Sequence, residues 1–266
     1  MKRSGTDKDY KAKEIVKDKN GIDQIYLRNR RGFSVQVSLN GGQVLSWKTD
    51  RNEELLFISR RATPTAVMGG IHIRFPEFGN GSALEKHGFS RNRMWVIDNN
   101  PPPLQSNHSN DKTYIDLLAE LSTGPHNFEF RLRVALALDG SLALTSRIRN
   151  ISSKNFSFYI AHQTYFSVSD ISYCSVDRVY LSSVGQIQVV AHNPMNKRTF
   201  LIKKEVLPDV VVWNPWKERS NATADLGAEE YKHMVCVGSA AIEKPIPLKP
   251  GEEWTGKLEL SFKQSS

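Results

Sequence analysis

Residues 113–151, TYIDLLAELSTGPHNFEFRLRVALALDGSLALTSRIRNI, contain three runs in which apolar and polar side chains alternate: Thr113–Leu121, Phe128–Leu136 and Leu142–Ile151. A period of two sends successive side chains to opposite faces of a pleated strand, whereas a helix needs a period of 3.6. In the middle run Phe128, Phe130, Leu132, Val134 and Leu136 share one face, and Glu129, Arg131 and Arg133 share the other. That pattern fits an antiparallel sheet with one face in a core and one in water. Asp139-Gly140 joins the last two runs, and these residue types accept the positive φ of a hairpin turn.

The same grammar extends in both directions. Strands are predicted at Ile25–Asn29, Phe33–Leu39, Leu55–Ser59 and Met94–Asp98 upstream, and at Phe156–Ile160, Gln186–Ala191 and Trp254–Phe262 downstream. Asn40-Gly41-Gly42 marks a second hairpin turn. Long amphipathic helical periodicity and internal repeats are both missing, and Asn99–Asn110 with Pro101-Pro102-Pro103 reads as a loop inside the domain. At 266 residues and 39% hydrophobic content the chain can bury a large core. The reading is an all-β antiparallel sandwich over 21–266, preceded by a charged tail at 1–20 in which Asp7 to Lys19 mixes both signs.

No run of about 18 apolar residues is present, so no membrane span is expected, and MKRSGTDKDYKAKE lacks the apolar stretch of a secretory signal. The Asn-x-Ser/Thr sequons at Asn107 and Asn221 therefore carry no weight, and cytoplasm is the expected compartment. The two cysteines, Cys174 and Cys236, show no metal-ligand or redox spacing and read as reduced, partly buried thiols. A formal charge of +8 admits nucleic acid, an anionic membrane or an acidic small molecule as partner. No nucleic-acid-binding motif follows the charged tail, so a phosphorylated metabolite is the economical explanation.

Three segments could carry chemistry. The first is Gly69-Gly70-Ile71-His72-Ile73-Arg74-Phe75-Pro76-Glu77-Phe78-Gly79 with the following Glu85-Lys86-His87-Gly88-Phe89-Ser90-Arg91. There the arginines can fork onto phosphate and the paired glycines permit close backbone approach. His72 by itself reads as a hydrogen-bonded structural residue. The second is Ala161-His162-Gln163-Thr164-Tyr165-Phe166, where His162 is the obvious acid or base and strand alternation puts His162 and Gln163 on opposite faces. The third is Leu207–Trp216 with Val235–Gly238 and Leu248–Trp254, where Trp213 and Trp216 could stack on a sugar ring but also suit a core. No metal-ligand spacing and no Gly-x-Ser-x-Gly elbow occur, so neither a metal site nor a Ser/His/Asp hydrolase is expected.

Taken together, GGQVLSWKTD, ELLFIS, GGIHIRFPEFGN, LEKHGFSRNRMWVID, TYFSVSDIS, VDRVYLSS, LPDVVVWNPW and IEKPIPLKPGEEW run collinearly from about Gly41 to Phe262. They resemble the plant-type glucose-6-phosphate 1-epimerase, or aldose 1-epimerase-like, family. The resemblance implies a galactose-mutarotase-like β-sandwich (supersandwich) that interconverts the α and β anomers of a hexose 6-phosphate without a cofactor. It also implies a monomer acting on a small molecule. Such chemistry takes a base for the anomeric hydroxyl proton and an acid for the ring oxygen. Carried over by position, His87, Arg91 and Asp177 match substrate-binding residues, with Lys86 and Arg74 as further cations.

The chain departs from the family pattern at the positions that move protons. The family's catalytic histidine aligns with Gln163, and its carboxylate with Gly238. An amide is no general acid near neutral pH. His162, one place early, becomes a catalytic candidate only if the strand register is rearranged. Between Ser172 and Asp177 roughly thirty residues of the family pattern, enough for two or three strands, are missing. A divergent paralogue, an incomplete gene model and a spliced product all fit that gap. Two functions follow: an active hexose-6-phosphate mutarotase, or an inactive relative that binds a sugar phosphate or serves a structural role.

Overall fold

The computed structural model describes residues 11–63, 67–76, 93–104, 112–121, 127–171, 176–183, 185–191, 197–221 and 223–265. The three runs that decide the fold are strands Thr113–Leu121, Phe128–Leu136 and Leu142–Asn150, paired in antiparallel register without a break. In chain order the strands begin with β1 Lys13–Lys17, β2 Asp23–Arg28, β3 Ser34–Ser38, β4 Val44–Lys48, β5 Ile71–Arg74 and β6 Val96–Ile97. Next come the three runs as β7, β8 and β9, then β10 Phe156–Ser167, β11 Val176–Tyr180 and β12 Gln186–Ala191. The last are β13 Lys197–Glu205, β14 Asp209–Asn214, β15 Met234–Leu248 and β16 Glu253–Ser265. A six-residue helix, α1 Trp216–Asn221, and a 3-10 turn at Glu230–His233 complete the described elements. No helix among the described residues is long and apolar enough to cross a membrane.

The strands make two sheets, a nine-stranded one ordered β1-β2-β3-β4-β5-β10-β15-β14-β11 and a seven-stranded one ordered β12-β13-β16-β9-β8-β7-β6. Their facing surfaces make one core. Ile25, Trp47, Ile73, Phe158, Ile160 and Phe166 from the larger sheet meet Leu117, Phe130, Leu144, Ile148 and Leu260 from the smaller. Burying each such side chain contributes roughly 1.5–3 kcal/mol. Phe75 locks the layers, its ring 4.9 Å from that of Phe128, 5.1 Å from Phe130 and 5.3 Å from Phe158, edge to face in each case.

Both expected hairpin turns are present. Gly41 and Gly42 have φ of 73° and 58°, and Gly140 has φ of 87°. Other expectations need correction. The charged tail is not wholly a tail, since Lys13–Lys17 pairs with β2 and opens the larger sheet. Leu55–Ser59 makes only isolated bridges, Leu56 to Phe166 and Ile58 to Gly69. Its neighbour Glu54 accepts the backbone N–H groups of Trp47, Leu55 and Leu56, and so competes with a regular ladder. Conversely β10 runs past Ile160 to Ser167, because β5 and β15 pair with it on its two edges.

The paired glycines of the first cluster serve the sheet. A Cβ at Gly69 would lie 2.2 Å from the Phe57 carbonyl oxygen, and one at Gly70 2.1 Å from that of Val44. Both have positive φ, 125° and 68°. Only glycine therefore lets β5 leave this turn pressed against its neighbours.

Between β13 and β14, Lys204 Nζ donates to the carbonyls of Leu207 at 2.8 Å and Pro208 at 2.9 Å. Burial lowers the pKa of this ammonium, and Asp209 nearby pulls it back up. These bonds hold the turn that delivers β14 to the larger sheet.

Candidate functional site

Strand β10 sits in the middle of the larger sheet and presents two faces of different character. Ile160, His162, Thr164 and Phe166 alternate with Ala161, Gln163 and Tyr165. The first set belongs to the side turned toward the second sheet, where Ile160 and Phe166 join the main core. The second set lies on the outer side, where Tyr165 packs in a separate small cluster with Phe57, Leu226, Met234 and Cys236.

Register then assembles a row across the outer side. Gln163 pairs with His72 of β5 on one edge and with Gly238 of β15 on the other, and Gly238 pairs with Val211 of β14. Directly opposed residues share a face, so His72, Gln163 and Gly238 stand side by side. Arg74, two residues along β5, donates from Nε to Gln163 Oε1 at 2.8 Å. The His72 ring lies 5.2 Å from that of Tyr165, and the ring of Trp213 is 6.4 Å from Tyr165 on its other side. An imidazole, a guanidinium, an amide and two aromatic rings thus converge on one patch. Such a set can donate to sugar oxygens, shuttle a proton and meet an apolar ring face.

His162 is elsewhere. It is fully buried, its Nε2 is 2.8 Å from Ser146 Oγ of the opposite sheet, and burial alone pushes its pKa down to about 4. Its cross-strand partner is Ser239 on the same inward face. No register rearrangement carries this imidazole to the outer side, which corrects the expectation that rearranged strands would make it catalytic. The alternation that separated it from Gln163 in the sequence is the one the sheet adopts.

Asp177 lies on edge strand β11, paired with Trp213, and its Oδ2 accepts from Arg219 at 2.6 Å. Three strand spacings separate β11 from β10, about 14 Å. The structure therefore does not bring Asp177 beside Gln163. Lys86, His87 and Arg91 lie outside the described residues. Cys236 is buried against Tyr165 with its thiol pushed up to about 12, chiefly by desolvation, and is inert at neutral pH. Trp213 does reach the patch, whereas Trp216 packs on Tyr231.

His72 is the functional candidate that sequence reading set aside. Alternation along Ile71–Arg74 places His72 and Arg74 on one face. That they meet Gln163 depends on which strand lies beside β5, a long-range pairing with no local signal.

Comparison with known proteins agrees with this architecture. The aldose 1-epimerase family matches residues 23–186 and 172–261, in two pieces that overlap where the missing segment was expected. A grass protein from Cenchrus ciliaris named "Putative glucose-6-phosphate 1-epimerase" is 45% identical over 294 residues, covering 95% of this chain and 88% of its own. The alignment is longer than the 266-residue chain, so that relative carries residues lacking here. A protein of the same name from Escherichia coli K12 is 28% identical over 76% of this chain and 78% of its own. Among solved structures, HI1317 superposes with a TM-score of 0.72 at 21% identity, covering 94% of this chain and 99% of that one. The mutarotase-type protein YeaD of Salmonella typhimurium gives 0.70 at 20% identity, covering 96% and 98%.

Proposed function

Because the chain belongs to the aldose 1-epimerase family, we propose that it interconverts the α and β anomers of a hexose 6-phosphate at the outer patch of β5, β10 and β15. The observation that carries this reading is the row of His72, Gln163 and Gly238 with Arg74 bonded to Gln163. It supplies one proton carrier and one fixed cation on a single face. In the proposed cycle His72 takes the proton of the anomeric hydroxyl, the C1–O5 bond breaks with its electron pair moving to O5, and O1 becomes the aldehyde oxygen. A guanidinium N–H of Arg74 steadies the developing charge on O5, which then receives the proton from the imidazolium. Rotation about C1–C2 and the reverse steps give the other anomer. Lys86, His87 and Arg91 are the proposed phosphate contacts, Asp177 a more distant polar contact, and cytoplasm the proposed compartment.

A second reading is favoured by Gln163 and Gly238 themselves, since neither can hold or release a proton at neutral pH. It makes the patch a sugar-phosphate-binding site without catalysis. Following freshly dissolved α-glucose 6-phosphate by NMR decides between the two. The expected result is anomerisation faster than buffer, lost in His72→Gln and retained in His162→Gln. A rate equal to buffer, with sugar-phosphate shifts still seen in the protein spectrum, would leave only the binding reading.

A further inference from the structure

Three turns meet at one end of the sandwich. The turn from β2 to β3 runs through Arg30 and Arg31, the turn after β4 through Asp50 and Arg51, and the hairpin from β8 to β9 through Leu138 and Asp139. They are tied to one another. Buried Asn29 donates from Nδ2 to the carbonyls of Ala137 at 2.7 Å and Leu138 at 3.2 Å, and its Oδ1 accepts the backbone N–H groups of Arg31 and Phe33. Trp47 Nε1 donates to the Gly140 carbonyl at 2.9 Å, and a Cβ at Gly32 would lie 3.4 Å from the Asp50 carbonyl oxygen. The side chains at the tips therefore stand on a fixed platform.

What they present is mostly cationic. Arg30, Arg31 and Arg51 are exposed, and their guanidinium groups form no ion pair or hydrogen bond with another described residue. Around them lie Lys11, Lys112 and Lys263, placed there by the bonds from Arg28 N to Ala12 O and from Thr113 Oγ1 to Arg28 O, and by the contact of the Phe33 and Phe262 rings. Against these six cations stand the exposed carboxylates of Asp50 and Asp139. Glu14 and Glu53 close by are engaged with Arg28 and Arg198, and Glu54 with backbone amides beside Lys48. The excess of four cations among these groups is half of the formal charge of +8 on the whole chain, gathered at one end.

At the hairpin tip among them Leu138 is 41% exposed. An aliphatic side chain has no π face to stack on a base and no donor for a phosphate, whereas the headgroup boundary of a bilayer accepts both it and the surrounding cations. We propose that this end of the sandwich docks on an anionic lipid surface, with Arg30, Arg31 and Arg51 on lipid phosphates and Leu138 dipping below them. The attachment is peripheral and reversible, each cation near such a surface contributing about fivefold in affinity. The patch of β5, β10 and β15 lies on a sheet face, apart from these turns.

Sedimentation of the full chain with lipid vesicles tests the docking. Mixed phosphatidylserine and phosphatidylcholine vesicles should carry the protein down, pure phosphatidylcholine vesicles should not, and added salt should release it. Arg31→Gln together with Arg51→Gln should lower the partition coefficient about 25-fold. Leu138→Ser, which leaves the charge unchanged, should lower it several-fold. All three side chains are exposed, so the circular dichroism spectrum should be unaltered. No sedimentation with the phosphatidylserine vesicles overturns the proposal, as does binding that Leu138→Ser leaves unchanged. Duplex DNA bound more tightly than the vesicles at the same salt would also overturn it and make this end a nucleic-acid surface.

Discussion

At His162 one side chain links burial to pH. The unfolded chain binds a proton there near the ordinary value of 6.5, while the folded chain binds it only near 4. Between those values the unfolded state holds more protons, so stability falls as pH drops from 6.5 to 4 and levels off below. The loss amounts to roughly 3 kcal/mol. Replacing His162 by Gln keeps a polar partner for Ser146 without a proton to gain. Urea midpoints measured across this window should therefore fall less with acid in His162→Gln than in the wild type, and parallel curves would place the acid sensitivity elsewhere. The buried site of His162 was not legible in the sequence. A histidine in an aromatic strand reads as an acid or base until the second sheet buries it and supplies Ser146 as the partner of its Nε2.

Strand β10 shows what an element adds to its residues. Its own sequence separates His162 from Gln163 by alternation, a local rule that survives into the structure. What that sequence cannot contain is the identity of its neighbours. Pairing with β5 brings His72 and Arg74 to Gln163, and pairing with β15 brings Gly238. Gln163 and Gly238, the two positions to which the resemblance assigns proton transfer, are directly opposed across one ladder. Gly238 has room for a Cβ. A Cβ at Gly238 would lie 3.4 Å from Val211 Cβ and 3.7 Å from Gln163 Cγ, ordinary contacts. The double variant Gln163→His with Gly238→Glu should accelerate anomerisation of α-glucose 6-phosphate by about 10²-fold or more over the wild type. No gain in a folded double variant would mean that the patch is not where the sugar reacts.

For the whole molecule, one continuous core predicts one cooperative unit. Both sheets and the aromatic bridge at Phe75 contribute to the main apolar cluster, so parting the sheets removes that core from both and leaves the larger one only the small outer cluster around Tyr165. Far-UV and near-UV circular dichroism should report coincident unfolding transitions, and two separated transitions would show that the sheets open independently. By itself the sequence determined the all-β class, the two hairpin turns, the central strands and the membership of one family. Those are written in periods of two, in turn chemistry and in collinear motifs, each legible over a few neighbouring residues. Only the tertiary structure decided that Lys13–Lys17 is a strand, that His162 is buried between the sheets and His72 is buried on the other face of the larger sheet, that Gly69 and Gly70 serve packing, and that β11 ends the larger sheet among the described strands. Each of these depends on which strand lies beside which. Neighbours in a sheet of nine strands are chosen by burial summed over the whole chain, and no local stretch of sequence carries that sum.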